Sequence, residues 1–131
     1  MMKLKIDFHS DVPVYKQIIE NVEDAILSGK FKEGDDLPSI RKLALDANVN
    51  PNTVAKAYFV LQAKGFVYSV SGIGYKVAKP PRTSLDEKVR EIEQRMEENI
   101  RKLARLSMSK KEIEERIHGI IEKVMTNGGN G

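Results

Sequence analysis

The stretch "NVNPNTVAKAY", residues 48–58, sets three asparagines and a proline in its first five positions and then turns apolar at helical spacing. A proline loses nothing at the first position of a helix, where its missing N–H would have had no partner, and an asparagine just before it is a good N-cap. A helix therefore starts at Pro51 with Asn50 as its cap. Val54, Ala57, Tyr58 and Leu61 fall on one stripe, which leaves Asn52, Thr53 and Lys56 on the opposite side. The helix packs along one side and offers a polar tip, and the neighbouring segments decide what that tip is for.

Upstream, a short helix of about ten residues starts at Pro38 and carries Ile40, Leu43, Ala44 and Ala47 inward. Only Asn48, Val49 and Asn50 separate it from the helix at Pro51, and so tight a turn needs a residue that tolerates the left-handed region, a role Asn48 fits. Two helices joined in this way have the spacing of a helix-turn-helix. Further upstream, "LKIDF" alternates as a short strand does, and "PVYKQIIENVEDAILSGKF" reads as a helix opening on Pro13. Its inner face is Val14, Ile18, Val22, Ala25 and Ile26, with Gly29 just past its end, and "KEGDDLP" is a loop. Downstream, Gly65 closes the third helix, and "FVYSV" and "YKVA" form a β-hairpin around a glycine-containing tip. The expected fold is mostly α with a small β-hairpin, a winged helix-turn-helix.

In that fold the N-terminal end of the second motif helix enters the major groove of DNA, so polar side chains belong at its tip. Asn50, Asn52, Thr53 and Lys56 occupy the reading positions: an amide pairs with the adenine edge, a threonine bonds either way or touches a thymine methyl, and a lysine reaches guanine or phosphate. The free N–H groups at the helix start favour a phosphate. Charge agrees. Residues 1–36 carry Lys3, Lys5, Lys16, Lys30 and Lys32 against Asp7, Asp11, Glu20, Glu23, Asp24, Glu33, Asp35 and Asp36, a balance of −3. Residues 37–79 carry Arg41, Lys42, Lys56, Lys64, Lys76 and Lys79 against Asp46, a balance of +5. Such a cationic block attracts polyanions.

The totals exclude other classes. At 131 residues there is room for one compact domain and an appendage. No apolar run approaches the roughly 20 residues that span a bilayer, and the N-terminus lacks an apolar signal core, so a cytoplasmic protein without membrane contact is expected. The sequence has no cysteine, and its two histidines, His9 and His118, are too far apart in sequence to suggest a metal centre. No phosphate-binding glycine loop, zinc spacing or nucleophile elbow occurs, so neither a cofactor nor catalysis is expected.

The run "LPSIRKLALDANVNPNTVAKAYFVLQAKGFVYSVSGIGYKVA" resembles the DNA-binding domain of the GntR family of bacterial transcription regulators. The shared pattern is Leu-Pro-Ser-x-Arg-x-Leu-Ala, then Thr-Val, then Gly, then Gly-x-Gly, and it extends back through "PVYKQI" and "ILSGKFKEGDDLPS" to cover residues 10–78. The resemblance implies that Arg41 contacts the DNA backbone or a base edge, that Ser39 helps hold a phosphate, and that Ser71 and Gly72 approach the minor groove. Lys76, in the same wing, joins the DNA-facing set. Where many members of the family have arginines this chain has Pro51 and Ala55, so their guanine contacts do not carry over. The "NPNTV" form is similar to the YtrA-type subfamily, whose C-terminal part is short and helical.

After a linker at 79–83, "KPPRT", Ser84 and Glu87 form a capping-box pattern. The helix that follows carries Leu85, Val89, Ile92, Met96, Leu103 and Leu106 at steps of four and three, with Asn99 in the seam. A second box, Ser109 with Glu112, opens a last helix that buries Ile113, Ile117, Ile120 and Val124, ahead of a frayed tail at 126–131. Two amphipathic helices cannot enclose a core alone. Their expected partner is a second copy, the alternative being Phe59 and Val60 of their own DNA-binding domain. The expected division is a winged helix-turn-helix at 1–78, the linker, and a helical dimerisation region at 84–125. The expected function is a homodimeric transcription regulator, a repressor, on a palindromic double-stranded operator. A protein-interaction module or a nonspecific DNA-coating protein are the alternatives, and a small-molecule effector, which the sequence does not disclose, would have to sit between helices or at the dimer interface.

Overall fold

The structure, a computed structural model, describes residues 4–80 and 84–126. The chain divides into two compact units, Met1–Leu85 and Asp86–Gly131. The first contains helices α1 (Val14–Leu27), α2 (Ile40–Ala47) and α3 (Pro51–Ala63) and strands β1 (Val67–Val70) and β2 (Gly74–Val77). Helix α4 (Ser84–Arg105) begins at the junction, and α5 (Lys110–Thr126) belongs to the second unit.

The core of the first unit is built from the stripes read in the sequence. Ile18, Val22 and Ile26 of α1 meet Leu43 and Ala44 of α2, Val54, Ala57, Tyr58 and Leu61 of α3, and Phe66, Val67 and Val77 of the wing. Val14 is only partly buried, and Ile19, outside the expected face, joins the core. One polar residue is buried with them: Glu23 on α1, 3% exposed, pairs with Lys64 at the end of α3. A buried carboxylate is tolerated when its charge is paired.

Asn48 takes the left-handed conformation expected of it, with φ 56° and ψ 49°. Its N–H and that of Val49 bond back to Leu45 and Ala44, which stops α2 within one residue. At the start of α2 the structure differs from the expectation. The helix begins at Ile40 rather than Pro38, because the hydroxyl of Ser39 caps it, accepting from the Lys42 N–H at 3.1 Å.

The wing pairs Val67 with Val77, Tyr68 with Lys76, Ser69 with Tyr75 and Val70 with Gly74, antiparallel. Gly72 and Gly74 both have positive φ at its tip, where a side chain would strain the backbone. Two segments depart from their expected states. "LKIDF" forms no strand; Leu4 and Ile6 rest on the core as irregular chain. The free edge of β2 is occupied instead by part of the expected loop. The N–H of Gly34 donates to Val77 at 2.8 Å, that of Val77 to Asp35 at 2.8 Å, and that of Leu37 to Tyr75 at 2.9 Å. With both edges of β2 paired, the N-terminal segment is tied to α1 by Gln17, which bonds the backbone of Asp7 and of Val12.

In the second unit the Ser109–Glu112 box forms in both directions: the Ser109 N–H donates to the carboxylate at 3.1 Å, and the Glu112 N–H donates to the hydroxyl at 3.2 Å. The Ser109 N–H, and after it the Ser109 side chain, hold the Glu112 carboxyl below its ordinary range. Thr126, expected in the tail, is the last residue of α5. The rest of the tail, 127–131, and linker residues 81–83 lie outside the described residues.

Candidate nucleic-acid interface

The DNA-facing residues read from the sequence fall on three segments of the first unit. Ser39 and Arg41 are at the start of α2, Asn50, Asn52, Thr53 and Lys56 at the start of α3, and Ser71, Gly72 and Lys76 on the wing. One cluster ties the three together. The hydroxyl of Tyr58, in the middle of α3 and fully buried, donates to the Pro38 carbonyl at 2.8 Å, just ahead of α2. The Tyr58 ring meets the Tyr75 ring of β2 edge to face, centroids 5.0 Å apart, and the Tyr75 carbonyl accepts from Leu37. The α2 start, α3 and the wing are thus held by bonds that converge on two adjacent residues, Leu37 and Pro38. Burial pushes the Tyr58 hydroxyl well above its ordinary range, with Tyr75 adding to the effect, so it remains a donor. The sequence reading counted Tyr58 only among apolar residues; its phenolic oxygen was the signal that a buried acceptor had to exist.

At the tip of α3, Asn50 accepts the Asn52 N–H through Oδ1 at 2.8 Å, the cap expected of it. That bond uses one half of the Asn50 amide, whereas Asn52 is exposed and its side chain makes no hydrogen bond among the described residues, so both halves of its amide face outward unused. Thr53 is half-buried beside it. Lys56 is turned toward α1, its ammonium 3.9 Å from the centre of the Tyr15 ring, a cation–π contact that holds the charge at the flank of α3. Ser39 uses its oxygen lone pair on the helix, and its own O–H is left to donate outward.

The cationic block is partly neutralised by tertiary pairing. Lys64 pairs with Glu23, Lys76 with Asp36 at 2.7 Å, and Lys42 with Asp46 at 3.4 Å. Two of these carboxylates come from the acidic N-terminal stretch, far in sequence. Arg41, Lys56 and Lys79 have no carboxylate partner among the described residues. Arg41 is the one of these on an exposed first turn, two residues after Ser39 in sequence. Among the described residues no cluster of acidic, histidine or cysteine side chains could hold a metal ion, and no helix is long and apolar enough to cross a membrane.

Along α4 and α5, the residues assigned to dimerisation divide. Leu85, Val89, Ile92, Met96, Ile120 and Val124 are exposed, whereas Leu103 and Ile117 are half-buried and Ile113 is buried near the α4–α5 turn.

Comparison with known proteins matches residues 14–77 to the family described as bacterial regulatory proteins, gntR family. The chain is 40% identical over 84 residues to the HTH-type transcriptional repressor YtrA of Bacillus subtilis (strain 168), covering 64% of this chain and 65% of that protein. It is 30% identical over 122 residues to the uncharacterized HTH-type transcriptional regulator YhcF of the same organism, covering 93% of this chain and 97% of that protein. Among solved structures, a GntR family transcriptional regulator from Listeria monocytogenes superposes with a TM-score of 0.66 at 30% identity, over 89% of this chain and 99% of that one.

Proposed function

Because this chain belongs to the gntR family of bacterial regulatory proteins, and is a transcription regulator rather than an enzyme, we propose that it is a cytoplasmic repressor that binds a palindromic operator as a homodimer. The observation that carries the reading is the tip of α3: polar, exposed, capped by Asn50, and backed by a stripe that is buried throughout. A recognition helix needs this combination, since its tip reads base edges while its back is held rigid. In this reading Asn52 and Thr53 contact bases. Ser39 and Arg41 hold a phosphate, Lys56 and Lys76 lend charge at the flanks, and Ser71 and Gly72 approach the minor groove. Residues 1–78 form the recognition domain, 79–83 the linker and 84–125 the region that joins two copies.

Support for the homodimer comes from α4 and α5, whose apolar residues at Leu85, Val89, Ile92 and Met96, and at Ile120 and Val124, are exposed. Exposed stripes of that kind mark association surfaces. A two-fold pair of recognition helices explains how so small a domain reads a site long enough to be specific. The name of the YtrA relative supports repression as the outcome.

Selection of bound sequences from a random DNA pool, followed by competition against random DNA over a range of salt, tests the reading. An inverted repeat that outcompetes random DNA is the expected result. Equal binding to every sequence would indicate a DNA-coating protein, and absence of binding a protein-interaction module.

A further inference from the structure

The side of α3 that faces away from Val54, Ala57, Tyr58 and Leu61 carries Asn52 and, two turns on, Phe59, while the Lys56 side chain between them is drawn off toward Tyr15 of α1. Phe59 is 71% exposed there. Pro51 and Ala55, on the same turns, bear no long side chain that would hold the helix off an opposing surface. A bare ring in line with an amide calls for a surface that offers polar and apolar contacts side by side. The major-groove edge of duplex DNA is such a surface, and among its donors and acceptors the one apolar group is the C5-methyl of thymine.

We propose that Phe59 is a specificity-determining residue that packs on a thymine methyl group. Seven residues separate it from Asn52, a rise of about 10 Å along the helix, which matches about three base-pair steps. The thymine therefore lies about three base pairs from the position that Asn52 reads. The inference rests on α3 entering the major groove, and it adds a base preference that a polar tip alone does not supply.

The test uses the full chain and its selected operator, with each thymine replaced in turn by deoxyuridine, which removes the methyl group and nothing else. Wild-type binding is expected to weaken about fourfold at one position per half-site, the contribution of one buried methyl. Phe59→Ala should bind the parent operator about as weakly and be indifferent to that replacement, whereas Phe59→Leu should stay sensitive. The thermal unfolding midpoint should be the same in all three, since the ring is exposed. If the wild type binds the operator selectively but ignores every deoxyuridine, or Phe59→Ala keeps the full sensitivity, the methyl contact is wrong while the DNA-binding reading stands. If Phe59→Ala changes the sedimentation of the protein and leaves its DNA binding intact, Phe59 packs on protein and the proposal fails. If the wild type prefers no sequence at all, the DNA-binding reading fails and this inference falls with it.

Discussion

Tyr58 has two roles at once, filling the core with its ring and bonding the Pro38 carbonyl with its hydroxyl. Tyr58→Phe keeps the first and removes the second, leaving a carbonyl without its donor, and should cost about 1 kcal/mol in urea denaturation. The sign of its pH effect follows from the raised folded pKa. Because burial keeps the folded hydroxyl protonated, stability is unaffected below the ordinary tyrosine value of about 10 and falls as pH rises above it, where the unfolded chain ionises and the buried hydroxyl does not. Stability measured from pH 8 to 11 should therefore fall less steeply in Tyr58→Phe than in the wild type. On the DNA-facing side, Asn52→Ala should weaken specific binding by about 1–3 kcal/mol and relax base preference at one position per half-site. Arg41→Ala should weaken binding to all sequences and reduce the salt slope by about 1. Binding isotherms at several salt concentrations distinguish them. An unchanged affinity in both variants would contradict the groove placement.

Among the elements, α5 has a start held by a reciprocal pair of local bonds. Ser109 and Glu112 cap each other, and Ile113, one residue further, is buried while Met108 before the cap is half-buried, the spacing of a hydrophobic staple. Glu112 takes part as a carboxylate, and its folded pKa is lowered by the Ser109 bonds. Its contribution is present above the ordinary glutamate value and disappears as pH falls through the lowered one. Ser109→Ala removes the hydroxyl half of the box. Helicity followed by circular dichroism during acid titration should decline at a higher pH in Ser109→Ala than in the wild type, and identical titrations would mean that the box does not hold the helix.

For the whole molecule the question is whether recognition and association separate. The first unit has its own core, from Ile18, Val22 and Ile26 through Leu43, Val54 and Leu61 to Val77. Removing residues 83–131 should leave it folded and monomeric. Its affinity for a full operator should drop without the loss of any single contact, because the two half-site contacts are no longer tethered at a high effective concentration. Analytical ultracentrifugation of both chains, with operator and half-site binding, checks this. A full-length protein that sediments as a monomer at micromolar concentration would contradict the homodimer.

The order of elements, the stripe Val54–Ala57–Tyr58–Leu61, the left-handed Asn48, the Asn50 cap and the Ser109–Glu112 box were legible in the sequence. Each depends on residues within a few positions of one another, where helical periodicity and backbone preference act directly. What joins distant segments was not. The alternation in "LKIDF" is that of a strand, yet Gly34–Leu37 occupies the edge of β2, and local pattern carries no information about which of two segments wins one edge. Glu23 counts in the sequence only toward the acidic balance of residues 1–36, and the fold brings Lys64 to it, while the basic block of residues 37–79 is weakened where Asp36 comes beside Lys76. The hub of Tyr58, Pro38 and Tyr75 is of the same kind. Hydrogen bonds and ion pairs between residues about 20 to 40 positions apart exist only once the chain has closed on itself, so the polar tip of α3 was legible in the sequence, and the tying of α2, α3 and the wing to one another was decided by the tertiary structure.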